Sequence, residues 1–306
     1  MGVSAAVAGA ETFPLVPRGR VVGVSYGSLR SARRGGGSDV AGSRAYRSGD
    51  DVDLIDWAAS ARLSSALGRD EFVVRELHAE EAPRVIAFAD RGPSLALYPE
   101  PLPWLRKWQA LDAAVALVER SARAARSAPG YLDFADGDLH WRSPRGGRVH
   151  ETPRRGLAAP AGSLVAGLRH LADLRPAPPV GSFLFVLSDF LDPPPQEAWH
   201  DALERGWDVV PVVIQDPVWE RSFPDVAGVA VPFVDAAGGR PRLVRLRRAE
   251  VEARREANEA RWRALLARFE ELGVEPVVLG RHGEGDVVAA FLDWTDARIA
   301  ERGRGW

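Results

Sequence analysis

Three short apolar runs, each closed by an aspartate, restrict what this chain can fold into: RVIAFAD (84–90), FLFVLSD (183–189) and WDVVPVVIQD (207–216). None alternates polar with apolar residues, so each strand must be covered on both faces. Between the runs the apolar spacing lengthens to that of a helix. LRKWQALDAAVALVERSARAAR (105–126) aligns Leu105, Trp108, Leu111, Val115 and Val118 on one side, and SLVAGLRHLADL (163–174) predicts a shorter helix. Strands of this kind in alternation with helices predict an α/β fold of Rossmann type, a mainly parallel sheet with helices on both faces. EPVVLG (275–280) adds a strand. Helices are expected over 248–272, stopped by Gly273, and over 287–300. Asp192 before Pro193 predicts a helix start. Hairpins are expected over 131–143 and 229–246, the second turning at Gly238-Gly239.

The first part of the chain reads differently. It is rich in glycine, serine and arginine, with one short strand, FVVREL (72–77). The expected division is a β- and loop-rich segment over residues 1–82 and the α/β domain over 83–306. The chain has no cysteine, which excludes disulfides and thiolate metal ligands. A net charge of −2 gives no broad basic field, so no nucleic-acid partner is expected. No run reaches the ~18 apolar residues of a membrane span, and no basic stretch precedes the small residues at the N-terminus. A soluble, cytoplasmic protein without membrane insertion is the expectation.

Open α/β sheets bind ligands beyond the carboxyl ends of their strands, where Asp90, Asp189 and Asp216 stand. A metal-dependent enzyme using these three carboxylates is one reading. Gly23-Val24-Ser25-Tyr26-Gly27 matches a nucleophile-elbow pattern, with Asp189 and His282 in the order of a hydrolase triad. It precedes any strand–helix–strand unit, which argues against a hydrolase. No phosphate-binding P-loop pattern is present.

Residues 46–62, YRSGDDVDLIDWAASAR, gather Asp50, Asp51, Asp53 and Asp56. As a calcium loop the stretch fails. Counted from Asp51, the sixth position is Asp56 where glycine is needed, and the twelfth is Arg62 where glutamate is needed. The expectation is a structural knot. Asp50 or Asp51 caps a short helix, Arg47, Arg62 or Arg75 neutralises the remaining carboxylates, and Trp57 anchors the segment in the core.

Tyr46, Gly49, Asp50, Asp51, Ile55, Asp56, Trp57, Ala61, Arg62, Val74, Arg75 and Glu76 together resemble the signature of the domain of unknown function 58 family. The resemblance is good over residues 20–216. It implies a von Willebrand factor A-like α/β domain, a non-catalytic interaction or assembly role, and a protein partner, an AAA+ ATPase of the MoxR type. Asp90-Arg91-Gly92-Pro93-Ser94 resembles that domain's metal-ion-dependent adhesion motif, with Gly92 where a serine would ligate. On this resemblance Asp90, Ser94, Ser163 and Asp189 form a degenerate site that binds no cofactor or holds magnesium or manganese weakly.

Overall fold

The computed structural model describes residues 11–18, 40–47, 52–77, 84–97, 105–144, 155–235, 240 and 242–304. The chain divides into two compact units. One combines Met1–Val16 with Arg84–Trp306, and the other is Pro17–Pro83.

In the smaller unit, β1 (Val40–Ala45) pairs antiparallel with β2 (Val73–Leu77). A 3-10 turn (Val52–Leu54) leads into α1 (Trp57–Leu67). Asp56 caps α1, accepting from the Ala59 amide at 2.9 Å, and Gly68 closes it with φ 66, a conformation glycine adopts freely. The Ser60 hydroxyl donates to the Asp56 carbonyl and accepts from the Val73 amide, tying α1 to β2.

The larger unit holds a six-stranded sheet: β3 (Val85–Ala89), β4 (Pro129–Asp133), β5 (His140–Arg142), β6 (Phe183–Ser188), β7 (Asp208–Ile214) and β10 (Val277–Leu279). Its spatial order is β10-β7-β6-β3-β4-β5, parallel except for β5. The order reverses between β3 and β6, as in doubly wound folds, so the carboxyl ends of these two strands form the switch point. The buried strands explain the apolar runs: every residue of β3, β6 and β7 is buried.

On one face α3 (Ser163–Asp173), α4 (Gln196–Glu204) and α5 (Arg248–Glu271) supply Leu164, Leu168, Trp199, Leu265 and Phe269 against Phe88, Leu184 and Val186. Gly167 lies so close to the Phe88 ring that a Cβ there would fall 2.1 Å from it. On the other face are α2 (Lys107–Ala124) and α6 (Glu284–Arg304). A smaller hairpin, β8 (Ala230–Phe233) with β9 (Arg242–Arg245), packs with Phe223 and Val251. Its Gly238-Gly239 turn lies outside the described residues.

Two sequence expectations change. Residues 11–16 belong to the α/β unit, although the sequence division placed them with the first 82. Phe13 is buried among Phe185, Phe291 and Trp294, its amide donates to Ser121 Oγ at 3.0 Å, and the Val16 carbonyl accepts from Arg298. Asp192 does not start a helix. α4 begins at Gln196 after Pro193, Pro194 and Pro195, because each proline holds the residue before it in an extended conformation. Among the described residues, no helix is long and apolar enough to cross a membrane.

Candidate functional site

The switch point gathers charge. Asp90 follows β3, and its amide donates to the Leu187 carbonyl of β6 at 2.8 Å. Its Oδ1 accepts from the Gly92 amide at 2.8 Å and its Oδ2 from Ser188 Oγ at 2.6 Å. Ser188 Oγ in turn accepts from the Phe190 amide. Asp189, 2% exposed, meets Lys107 Nζ through Oδ2 at 2.9 Å and accepts from the Leu191 amide through Oδ1. The same ammonium reaches Glu220 Oε1 at 2.6 Å. Glu220 Oε2 accepts from the Asp216 amide at 2.7 Å. Asp216, at the end of the β7 run, accepts from the amides of Leu105, Val218 and Trp219 at 2.8–2.9 Å.

A neighbouring network surrounds Arg91, which is also buried. Its guanidinium pairs with Asp112 at 2.7 Å and donates to Tyr131, whose hydroxyl donates to Asp133 at 2.6 Å. Arg155 pairs with Asp133 from the other side at 3.1 Å.

Burial sets the electrostatics. Lys107 is fully buried, which alone would lower its pKa. The Asp189 and Glu220 carboxylates more than offset this, so its pKa lies above the ordinary lysine value and it stays charged. Two carboxylates share one ammonium, so negative charge is left over, and burial with the Asp189 charge raises the pKa of Glu220 despite Lys107. Burial likewise raises Asp90, aided by Asp189 and opposed by its hydrogen bonds and Lys107.

The Asp90 shift has a sign that can be tested. A carboxyl whose folded pKa is raised contributes stability that is fully present below its ordinary value of 3.8 and is lost as pH rises through the folded value. Asn does not titrate and can still accept from the Gly92 amide. Asp90→Asn should therefore melt at or above the wild-type temperature near neutral pH, and its advantage should shrink on acidification. A neutral-pH melting temperature well below wild type would show that the ionised form is needed.

The sequence grouped Asp90, Ser94, Ser163 and Asp189 as metal ligands. Asp90 and Ser94 do flank one spot, since a Cβ on Gly92 would lie 3.1 Å from Asp90 Oδ1 and 3.8 Å from Ser94 Oγ. Asp189 continues the strand end beside them. Ser163 opens α3, and no hydrogen bond joins it to either aspartate among the described residues. All four oxygens of Asp90 and Asp189 already accept from internal donors. Among the described residues, no three His, Cys, Asp or Glu side chains gather as metal ligands. This donor set suits an ammonium better than an octahedral divalent ion. Sequence reasoning missed Lys107 and Glu220 altogether. The available signal was that Lys107 is the one lysine among 40 basic residues.

In the smaller unit the motif residues take other roles than expected. Asp56 makes the cap that was assigned to Asp50 or Asp51; those two and Gly49 lie outside the described residues. Trp57 does not enter a core. It is 61% exposed at the first position of α1, where its ring meets Phe72 edge-on at 6.1 Å, and the buried anchor beside it is Ile55. Tyr46 meets the same Phe72 ring at 6.4 Å. Arg62 donates to the Ala58 carbonyl, one turn back. Arg75 and Glu76 lie in β2 opposite Ser43 and Gly42, and their side chains lie outside the described residues. Ser25, of the hydrolase pattern, lies outside them too.

The signature, the strand-end aspartates and the sheet strands β3 to β7 that surround them fall within one family model, Protein of unknown function DUF58, which matches residues 42–264, while β10 lies beyond it. The chain belongs to the DUF58 family. No curated protein matches it. Among solved structures, one match is an aerotolerance-related membrane protein from Bacteroides fragilis NCTC 9343 with multiple mutations to serines. It is 16% identical over 62% of this chain and 99% of that one, with a TM-score of 0.29. The DUF58 match takes in the smaller unit from Gly42 of β1 onward and the α/β unit from Arg84 through most of α5. It thus spans both the Lys107 cluster and the exposed aromatic rings.

Proposed function

We propose that this DUF58 chain is a non-catalytic protein-interaction module, built on a von Willebrand factor A-like sheet and working with an AAA+ ATPase of the MoxR type. The doubly wound order with one antiparallel edge strand supports the likeness. The observation that carries the reading is the engagement of Asp90, Asp189 and Asp216. A metal-dependent enzyme would need these carboxylates in reach of substrate, and each is buried or half-buried against an internal amide, hydroxyl or ammonium. Tyr46 and Trp57, two residues of the signature, meet Phe72 edge-on with all three exposed, which supports a contact surface for a protein.

The test is binding of the purified chain to the MoxR-type ATPase of its native organism, with nucleotide present. Trp57→Ala with Phe72→Ala should weaken binding at least tenfold, while folding stability shifts by only about 0.5 kcal/mol per exposed site. Equal affinity for both proteins, or no affinity for the wild type, would remove the reading. Turnover of an esterase, phosphatase or nucleotidase substrate, lost in Asp90→Ala, would put the enzyme in its place.

A further inference from the structure

We propose that the Lys107 ammonium is the permanent cation of the switch point, so that this edge of the sheet is complete without a divalent ion. The inference concerns the same sheet edge as the reading above, but it can fail separately, because its test uses no partner protein.

Charge and position carry it. Asp189 and Glu220 reach Lys107 Nζ at 2.9 and 2.6 Å from β6 and from the loop after β7. Asp90 lies near enough to feel both Asp189 and Lys107. Carboxylates brought this close in a buried place repel unless a cation joins them. Lys107 is delivered by the first turn of α2, and its neighbour Leu105 is fixed by Asp216. The chain that carries Lys107 is thus anchored at Leu105, and its ammonium is held between two carboxylates. A divalent ion asks for six oxygens near 2.1 Å for magnesium. The oxygens here are already spent on an ammonium, a hydroxyl and backbone amides. Arginine could not serve equally, since its planar fork does not fit a compact point between two converging carboxylates.

The consequence is an inversion of the usual metal dependence. The wild-type melting temperature should be the same in excess EDTA and in millimolar magnesium or manganese chloride. Manganese added to the wild type should keep the electron paramagnetic resonance signal of the free aqueous ion. Lys107→Ala removes the ammonium and opens space beside Asp189 and Glu220. It should melt well below the wild type and regain stability with rising manganese, and with methylammonium, in a dose-dependent way. Adding Asp189→Asn to Lys107→Ala should abolish the manganese rescue. A dose-dependent gain by the wild type, lost in Asp189→Ala, would overturn the proposal, as would a Lys107→Ala protein that melts with the wild type. If Lys107→Ala does not fold, the wild-type resonance measurement decides alone. Bound manganese displaced by Asp189→Ala refutes the fixed cation, and free manganese upholds it.

Discussion

Phe13→Ala should lower the unfolding free energy by about 3–5 kcal/mol, the cost of truncating a buried aromatic ring. Phe13 stands in a stretch that reads from sequence as the start of a loose segment, yet it is 3% exposed and fills the space between Phe185, Phe291 and Trp294. The tilted contact with Phe291 has ring centres only 4.6 Å apart. Urea denaturation of the pure protein measures the effect as a fall in midpoint with an unchanged slope. A midpoint equal to wild type would mean that residues 11–16 rest on the α/β unit without contributing to it.

Asp216→Ala should cost roughly 3 kcal/mol or more, because it strands three backbone amides, those of Leu105, Val218 and Trp219, and each orphaned buried donor costs about 1–3 kcal/mol. It also loosens the approach to α2, so the amides of residues 105, 218 and 219 should exchange with solvent faster than in the wild type. Asp216→Asn should fall between the two, since it keeps one acceptor oxygen and turns an N–H toward one of the amides. A loss under about 1 kcal/mol for the alanine variant would mean that water or a shifted loop satisfies those amides.

The sheet was readable because its strands are buried on both sides, which leaves an apolar run with no polar interruption. RVIAFAD, FLFVLSD and WDVVPVVIQD could hardly be anything else. The strand-end aspartates were readable as well, since their place follows from where the runs stop. Their partners were not. Lys107 is separated from Asp189 by 82 residues and Glu220 from Lys107 by 113, and no local pattern records such contacts. Lys107 also opens a helix, where a charged residue ordinarily faces water. Trp57 was misjudged because tryptophan favours interiors on average, whereas the turn of Asp56 sets its ring outward and sends Ile55 inward. The proline run after Asp192 was a legible stop that the aspartate's capping ability masked.

The strap of residues 11–16 bears on how the molecule comes to be. Its ties to α6 bridge 281 and 282 positions of chain, through Pro14 with Thr295 and Val16 with Arg298. During synthesis those six residues emerge long before α6, and although Ser121 of α2 and Phe185 of β6 are made sooner, the ties to Thr295 and Arg298 close only once α6 is made. Until then Phe185, at the heart of the sheet, lacks the cover of Phe291 and Trp294. The side of the sheet that α2 covers in part thus keeps apolar surface exposed until α6 is made, and such exposure makes an incomplete chain prone to aggregation. Contacts this distant in sequence also slow the closing step. Refolding from denaturant should accordingly show the face under α3 and α4 protected from exchange before the face under α2 and α6.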